Sequence, residues 1–467
     1  PIPPIPPIPL IPPIPPIPHR TVPMRSFTLR IILLPLLALG LMSMAFNPDL
    51  RARLLRFIDD EVPALVALYQ DLHAHPELSL HETETAQKMA GELRSLGFEV
   101  TEGVGGTGVV GLYRNGQGPT VLIRTDLDAL PITEKTDLPY ASDVRGTTDD
   151  GLETGLMHAC GHDMHMTVWA GTARTLIEMK DQWSGTLMMI GQPAEEIGAG
   201  AKAMIEDGLF ERFEVPDYGL ALHCSPTLPA GKIGFASGFA LASVDMVKIT
   251  VYGEGGHGAY PHTTVDPAVL TSMIVMDLQT IVSRSVKPTD AAVVTVGAIH
   301  GGTQGNVIGD QMELLLTLRS YKAEVRDLML KRIEEICNGN ATAMGLGEEM
   351  YPKVEFTHNS TPAVYNEPEM VSRLHPVWSD ALGEENVLLQ ESVMGGEDFA
   401  RYGLTEEDVP ILMYWLGTVE PERLDAAAEA DEKLPGLHSP FYYPDPEKTI
   451  RTGVTAMSSA VMELMKP

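Results

Sequence analysis

Basic side chains are scarce in this sequence: 33 lysines and arginines face 63 aspartates and glutamates, for a formal net charge of -30 at pH 7. A chain this acidic repels nucleic-acid phosphates and anionic lipid, which argues against both as partners. Cysteine is almost absent, with only Cys160, Cys224 and Cys337. An odd number cannot be paired off internally, so at least one thiol needs another explanation. Bilayer-spanning runs are lacking too: the apolar stretch Ile31–Phe46 falls short of the ~20 residues a membrane helix needs, and Pro35 interrupts it. What the sequence does have is 44% hydrophobic and 21% charged residues over 467 positions. That is a globular composition, long enough for two or three domains at ~100–200 residues each.

Two N-terminal stretches stand outside any fold. Residues 1–23 are dominated by proline-isoleucine repeats that can only sit as extended polyproline or disorder. Residues 24–46 open with Met24, carry Arg25 and Arg30 ahead of the apolar run, and end near the small residues Ser43 and Ala45. This pattern resembles a secretory signal peptide, so the protein is expected to be exported to a periplasm or the medium, with a mature start near Asn47. N-terminal sequencing from the natural host tests this; a mature chain that still carries Ile31–Leu41 would refute cleavage.

Helical spacing dominates from Leu50 to Gly97, with Leu54, Leu55, Ile58, Val62, Leu65, Val66, Leu68 and Leu72 on a common stripe and a second helix over Thr83–Leu96. Strands and helices then alternate: Thr120–Arg124, helix Thr167–Met179, Thr186–Ile190, helix Gly200–Asp207, Tyr218–Leu222. Such alternation predicts an α/β domain with a mostly parallel sheet. Near Ala240 the rhythm changes to strand Val244–Tyr252, helix Val265–Ser283, strands Ala292–His300 and Met312–Ser320, helix Ala323–Ala343 and strand Lys353–Thr357. This β-α-β-β-α-β order is that of a ferredoxin-like unit. The reading is therefore an α/β domain in two parts, 50–239 and 358–467, with a ferredoxin-like domain, 240–357, inserted between them. Gly103, Gly105 and Gly108 spell G-x-G-x-x-G, but they lead into the strand Val109–Tyr113 and fit a hairpin turn better than a dinucleotide site.

The most informative run is Met157-His-Ala-Cys-Gly-His-Asp-Met-His165. Thiolate and imidazole are favoured ligands for zinc and related divalent metals. His158 and His162 could be helical ligands one turn apart, but Gly161 puts the helix start after it. A buried cysteine among hydrogen-bonded histidines would look the same. Glu195 and Glu196 follow the strand Thr186–Ile190, where α/β domains place functional groups. Adjacent side chains point apart, so one can bind metal while the other moves protons. His223 follows the strand Tyr218–Leu222, and His438 sits in a Leu-His-Ser-Pro segment far along the chain.

With these runs in view, the chain resembles a family of dinuclear metallo-amidohydrolases. The family includes hippurate hydrolases, N-acyl-amino-acid amidohydrolases, bacterial carboxypeptidases and plant auxin-conjugate hydrolases. The runs that carry the likeness are Asp71-Leu-His-Ala-His-Pro-Glu77, Arg124-Thr-Asp-Leu-Asp-Ala-Leu-Pro131, Met157–Asp163, Pro193-Ala-Glu-Glu196, Gly255-Gly-His-Gly-Ala-Tyr-Pro-His262 and Met394-Gly-Gly-Glu-Asp-Phe399. The resemblance implies a catalytic domain, a lid that often dimerises, and two divalent ions per subunit, with zinc, manganese, cobalt and nickel all suited to the donors. It implies Cys160, His162, Glu196, His223 and His438 as metal ligands, Glu195 as general base, and His257 as the group that polarises the scissile carbonyl, sometimes from the partner subunit. It also implies Asn306 and Arg319 as holders of the substrate carboxylate, and Asp126 and Asp128 as supports behind the ligands. His262 is expected to be structural, and His73 and His75 receive no chemical role. The expected substrate is an N-acyl amino acid or dipeptide. Two other readings compete: a thiol hydrolase with Cys160 as nucleophile, which leaves Glu195, Glu196 and His438 unexplained, and a non-catalytic binding protein that keeps the fold.

Overall fold

The computed structural model describes residues 48–356 and 360–467. The proline-isoleucine repeats, the expected export signal and Thr357 at the predicted end of the inserted domain lie outside the described residues. Helix α1 (Pro48–Ala74) buries Leu54, Ile58, Leu65 and Leu72 of the expected stripe together with Tyr69, while Leu55, Val62, Val66 and Leu68 are half-buried, and α2 (Thr83–Ser95) follows. Strands β1 (Glu99–Val104) and β2 (Gly108–Asn115) pair antiparallel across a turn in which Gly103, Gly105 and Gly106 all take positive φ. The glycine-rich run is thus a hairpin, and only glycine enters that backbone region without strain.

Next come β3 (Thr120–Asp126), α3 (His162–Glu178), β4 (Gly185–Gln192), β5 (Tyr218–Pro229) and β6 (Ile233–Phe235). Four strands and two helices, β7 (Ser243–Tyr252), α4 (Pro267–Thr280), β8 (Ala292–Gly301), β9 (Gln311–Ser320), α5 (Ala323–Ala343) and β10 (Lys353–Phe356), make the inserted unit. The chain closes with α6 (Pro368–Leu382), β11 (Val387–Leu389), β12 (Ile411–Val419) and α7 (Pro446–Leu464). One sheet runs β1-β2-β4-β3-β5-β12-β6-β11. Its central strands β4, β3, β5 and β12 are mutually parallel, while the β1–β2 hairpin flanks them antiparallel.

Both faces of this sheet are covered. Val121 and Ile123 of β3 point into a core shared with α1, α2, α3, α6 and α7, whereas Leu122 points into a second core that includes Met204, Phe399 and Tyr402. Burial on both faces explains why β3 and β4 read as continuous apolar runs.

The inserted unit has a four-stranded antiparallel sheet in the order β8-β9-β7-β10. Its core is its own: Val247, Ile249 and Val251 of β7 and Leu314, Leu316 and Leu318 of β9 pack on Leu270, Ile274 and Leu278 of α4 and on Met329 and Ile333 of α5. Strand β8 is an edge, bonded only to β9 within this sheet. One predicted boundary shifts in a way that matters. Strand β5 does not stop at Leu222 but stays paired to β12 through Pro229, with His223 opposite Trp415. His223 therefore projects from within a strand. The polar residues His223 and Ser225 broke the apolar run that marked the strand in the sequence.

Candidate active site

The carboxyl ends of the central parallel strands converge on one place, as ligand sites in open α/β sheets do. Gly161 has φ 84, so the chain turns sharply between Cys160 and the start of α3 at His162. A Cβ on Gly161 would come within 3.0 Å of the Cys224 sulfur, so glycine is needed there for space as well as for φ. Cys160 Sγ then lies 3.6 Å from His223 Nε2 and 3.3 Å from His438 Nε2. His438 Nε2 is 3.5 Å from Glu196 Oε2, and His162 Nε2 is 3.8 Å from Glu195 Oε2 and 3.9 Å from Glu196 Oε1.

Residues from four separate segments thus form overlapping donor groups: Cys160 with His162 and His223, Cys160 with Glu196 and His438, and His162 with Glu195 and Glu196. The donor atoms of each group lie within 4.8 Å of one another. His162 Nδ1 donates to the Asp128 carbonyl at 2.8 Å, which leaves the Nε2 lone pair free. That Nε2 and Glu196 Oε1 are buried with no hydrogen-bond partner among the described residues. Buried polar atoms are rarely left unpaired, and here both aim among sulfur, imidazole and carboxylate donors. These residues fit divalent metal.

The electrostatics agree. Burial, then Glu397 and Glu196, push Glu195 well above the usual carboxylate range. Burial chiefly raises Glu196 to about 7. Cys160 is driven well up by burial and next by Glu196, the wrong direction for the thiolate nucleophile of a thiol hydrolase. A cation bound among these groups would favour their charged forms and so oppose all three shifts.

Asp126 and Asp128 sit behind the donors. Asp128 Oδ2 accepts from the Glu196 N–H at 3.0 Å and from Ser79 Oγ at 2.6 Å. Asp126 accepts from His165 Nδ1 at 2.8 Å and from Arg124 Nη1 at 2.8 Å. His165 Nε2 in turn accepts the Cys224 N–H at 2.9 Å, so the ring is neutral and its orientation fixed, and burial holds its pKa down at about 4. Such supports orient ligands and tune their basicity.

A cleft of about 730 Å³ opens beside these residues, lined by Cys160, Glu195, Glu196, His223, His438 and Arg319. Arg319 reaches it from β9 of the inserted unit, half-buried, and among the described residues no carboxylate pairs with it. His257 and Asn306 are not brought to this cleft. They lie together on an exposed part of the inserted unit, where Gly256–His257 pairs with Val307–Ile308 and the Gly258 N–H donates to the Asn306 carbonyl at 2.9 Å. His257 Nδ1 accepts from the Ala259 N–H at 3.0 Å, which assigns the ring N–H to Nε2. His262 is exposed, which does not fit a packing role.

Sequence reasoning missed the charged cluster beneath Glu195. Arg124 is buried and donates to Gln192 at 2.9 Å, Glu397 at 2.9 Å and Asp398 at 3.1 Å. Glu195, Glu397 and Asp398 crowd together there. The available signal was Arg124 itself, a charge ending the apolar run Val121-Leu-Ile123 in a strand buried on both faces. All three cysteines are unpaired and buried.

A model described as "Peptidase family M20/M25/M40" matches residues 122–462. The chain is 36% identical over 358 residues to N-acetylcysteine deacetylase of Bacillus subtilis (strain 168), covering 76% of this chain and 88% of that one. It is 37% identical over 330 residues to hippurate hydrolase of Campylobacter jejuni subsp. jejuni, covering 70% and 82%. The crystal structure of the Bacillus subtilis YXEP protein, a dinuclear metal binding peptidase from the M20 family, superposes with a TM-score of 0.69 at 29% identity, over 87% of this chain and 99% of that one.

Proposed function

We propose, from the premise that this chain belongs to peptidase family M20/M25/M40, that it releases a free amino acid from N-acyl amino acids, hippurate-like compounds among them, or from short peptides. Its class is that of a metal-dependent amidohydrolase and peptidase, as in its relatives. The observation that carries the substrate reading is the cleft, whose lining combines the donor cluster and Glu195 with Arg319, a cation that no carboxylate among the described residues pairs with. Leu241, Val244, Met246 and Val393 give it an apolar wall. A molecule with one carboxylate, an amide and an apolar acyl group suits that layout.

Two divalent ions, of zinc, manganese, cobalt or nickel, would be held by Cys160, His162, Glu196, His223 and His438. Cys160 belongs to two of the donor groups, which supports a pair of ions set close together. When bound, such ions acidify water and polarise a carbonyl. Glu195 takes the proton of the attacking water and returns it to the departing amine, which its place beside the donors allows. Arg319 holds the substrate carboxylate, so that the amide rather than either end of the molecule meets Glu195. A panel of N-acyl amino acids and dipeptides, assayed with each of the four metals, tests the reading. Hydrolysis of none of them would overturn it.

Arg319→Ala should raise KM by about 10–100-fold, from the loss of a charge-assisted contact worth ~1.5–3 kcal/mol, with kcat changed less. Steady-state kinetics on one N-acyl amino acid checks this, and an unchanged KM would remove Arg319 from the binding role.

The remote placement of His257 and Asn306 supports assembly through the inserted unit. The unpaired edge of β8 is largely exposed, as is Ile299 on it, and an open edge of this length is suited to pairing with a second copy. In that dimer His257 of one subunit would serve the cleft of the other as the donor to the oxyanion. Light scattering should give a dimer at micromolar concentration; a monomer with full activity would contradict both parts.

A further inference from the structure

The run Asp71-Leu-His-Ala-His-Pro-Glu77 ends α1 away from the cleft, and its two histidines have different surroundings. His75 is exposed, and among the described residues its side chain bonds within its own turn, to the Asp71 carbonyl at 2.7 Å and near the Asp71 carboxylate. His73 is buried, its side chain 1% exposed, with Nδ1 2.6 Å from Asp163 Oδ2 and Nε2 3.0 Å from Glu134 Oε1. Ionised carboxylates only accept, so both ring nitrogens must donate, and the ring is an imidazolium held between two acids. Asp163 and Glu134 outweigh burial and bring His73 up to about 9.

Each acid is fixed at its other oxygen. Asp163 Oδ1 accepts the Met164 N–H at 2.8 Å in the first turn of α3, directly after His162. Glu134 Oε2 accepts the Ser142 N–H at 2.7 Å, and Thr136 donates to its Oε1, so the carboxylate organises the loop in which it sits. From that loop the Lys135 N–H donates to the Pro440 carbonyl at 2.8 Å, and the His438 N–H donates to the Ala159 carbonyl at 2.9 Å. The chain of contacts therefore runs from one donor-bearing segment, Cys160–His162, through Asp163, His73 and Glu134 to the segment that carries His438. His438 has φ 62, a conformation that a residue with a side chain holds only when its surroundings enforce it.

We infer that His73 is a positioning residue: its buried ion triad with Asp163 and Glu134 fixes the register between the Cys160–His162 segment and the His438 segment, and so sets metal affinity from outside the ligand shell. This rests on the metal-site reading given above. The probe is cobalt(II) alone, titrated into metal-free full-length protein and followed by its d–d and thiolate charge-transfer absorption. His73→Gln cannot donate in two opposite directions, and Glu134→Gln leaves His73 in place but removes one acid. Both should bind cobalt about 10–100-fold more weakly, the range seen when ligand supports are removed, with altered d–d bands. The double variant should lose little more than the worse single one, because both act through one relay. His75→Ala should match wild type in affinity and spectrum.

If His73→Gln unfolds, Glu134→Gln carries the test by itself. Wild-type affinity and spectrum in the folded variants, even with a lowered melting temperature, would overturn the inference, because His73 would then be structural only. Failure of the wild-type protein to bind cobalt at all would overturn the metal-site reading instead.

Discussion

Glu195→Gln is expected to lower kcat by about 10²–10⁴-fold or more while leaving the metal content unchanged. Glu195 lies 3.8 Å from the imidazole of His162 and among acids, and the role proposed for it is to move protons. An amide keeps its shape and loses the basic lone pair. Its neighbour should fail differently. Glu196 sits with Cys160 and His438 in one donor group and has a buried oxygen with no hydrogen-bond partner among the described residues. Glu196→Gln should therefore weaken metal binding and recover part of its activity in excess metal, since an amide is a poorer donor to a divalent ion. Metal analysis and turnover on both variants decide the matter. If Glu195→Gln loses metal and Glu196→Gln keeps it, the two roles are reversed.

Cys160→Ala should have the largest effect on metal content. Cys160 belongs to the group with His162 and His223 and to the group with Glu196 and His438, so its loss removes a thiolate from both. Activity should fall to background, and bound metal should drop below one ion per chain, with the far-ultraviolet circular dichroism of the fold retained. The side chain removed is small and its burial modest in area, so packing loss should stay near ~1 kcal/mol. A variant that keeps two ions and loses activity would point back to a nucleophilic thiol.

Much of the fold and of the site is legible in the amino-acid sequence. The inserted unit can be read in order because its two central strands, β7 and β9, alternate on a half-buried sheet and each helix repeats on one face. The donors Cys160, His162, Glu195 and Glu196 stand out because they cluster in short runs beside glycine or proline. What cannot be read depends on distance along the chain. Arg124 and Glu397 meet across 273 positions, and neither residue alone signals a partner. His73 looks like the equal of His75 in the sequence, yet one is buried between two acids and the other faces solvent. His223 reads as lying past a strand because a polar residue in a buried strand looks like a loop until its neighbours are known. His257 and Asn306 share a surface, and whether that surface meets its own cleft is decided by domain placement rather than by any local pattern.

Catalysis is expected to depend on metal held by Cys160, His162, Glu196, His223 and His438. The most direct test is a titration of protein stripped by a chelator, with bound metal measured by mass spectrometry alongside hydrolysis of an N-acyl amino acid. Activity should be absent from the stripped protein and should return as metal approaches two ions per chain. Hydrolysis that persists undiminished in protein free of metal would contradict the account.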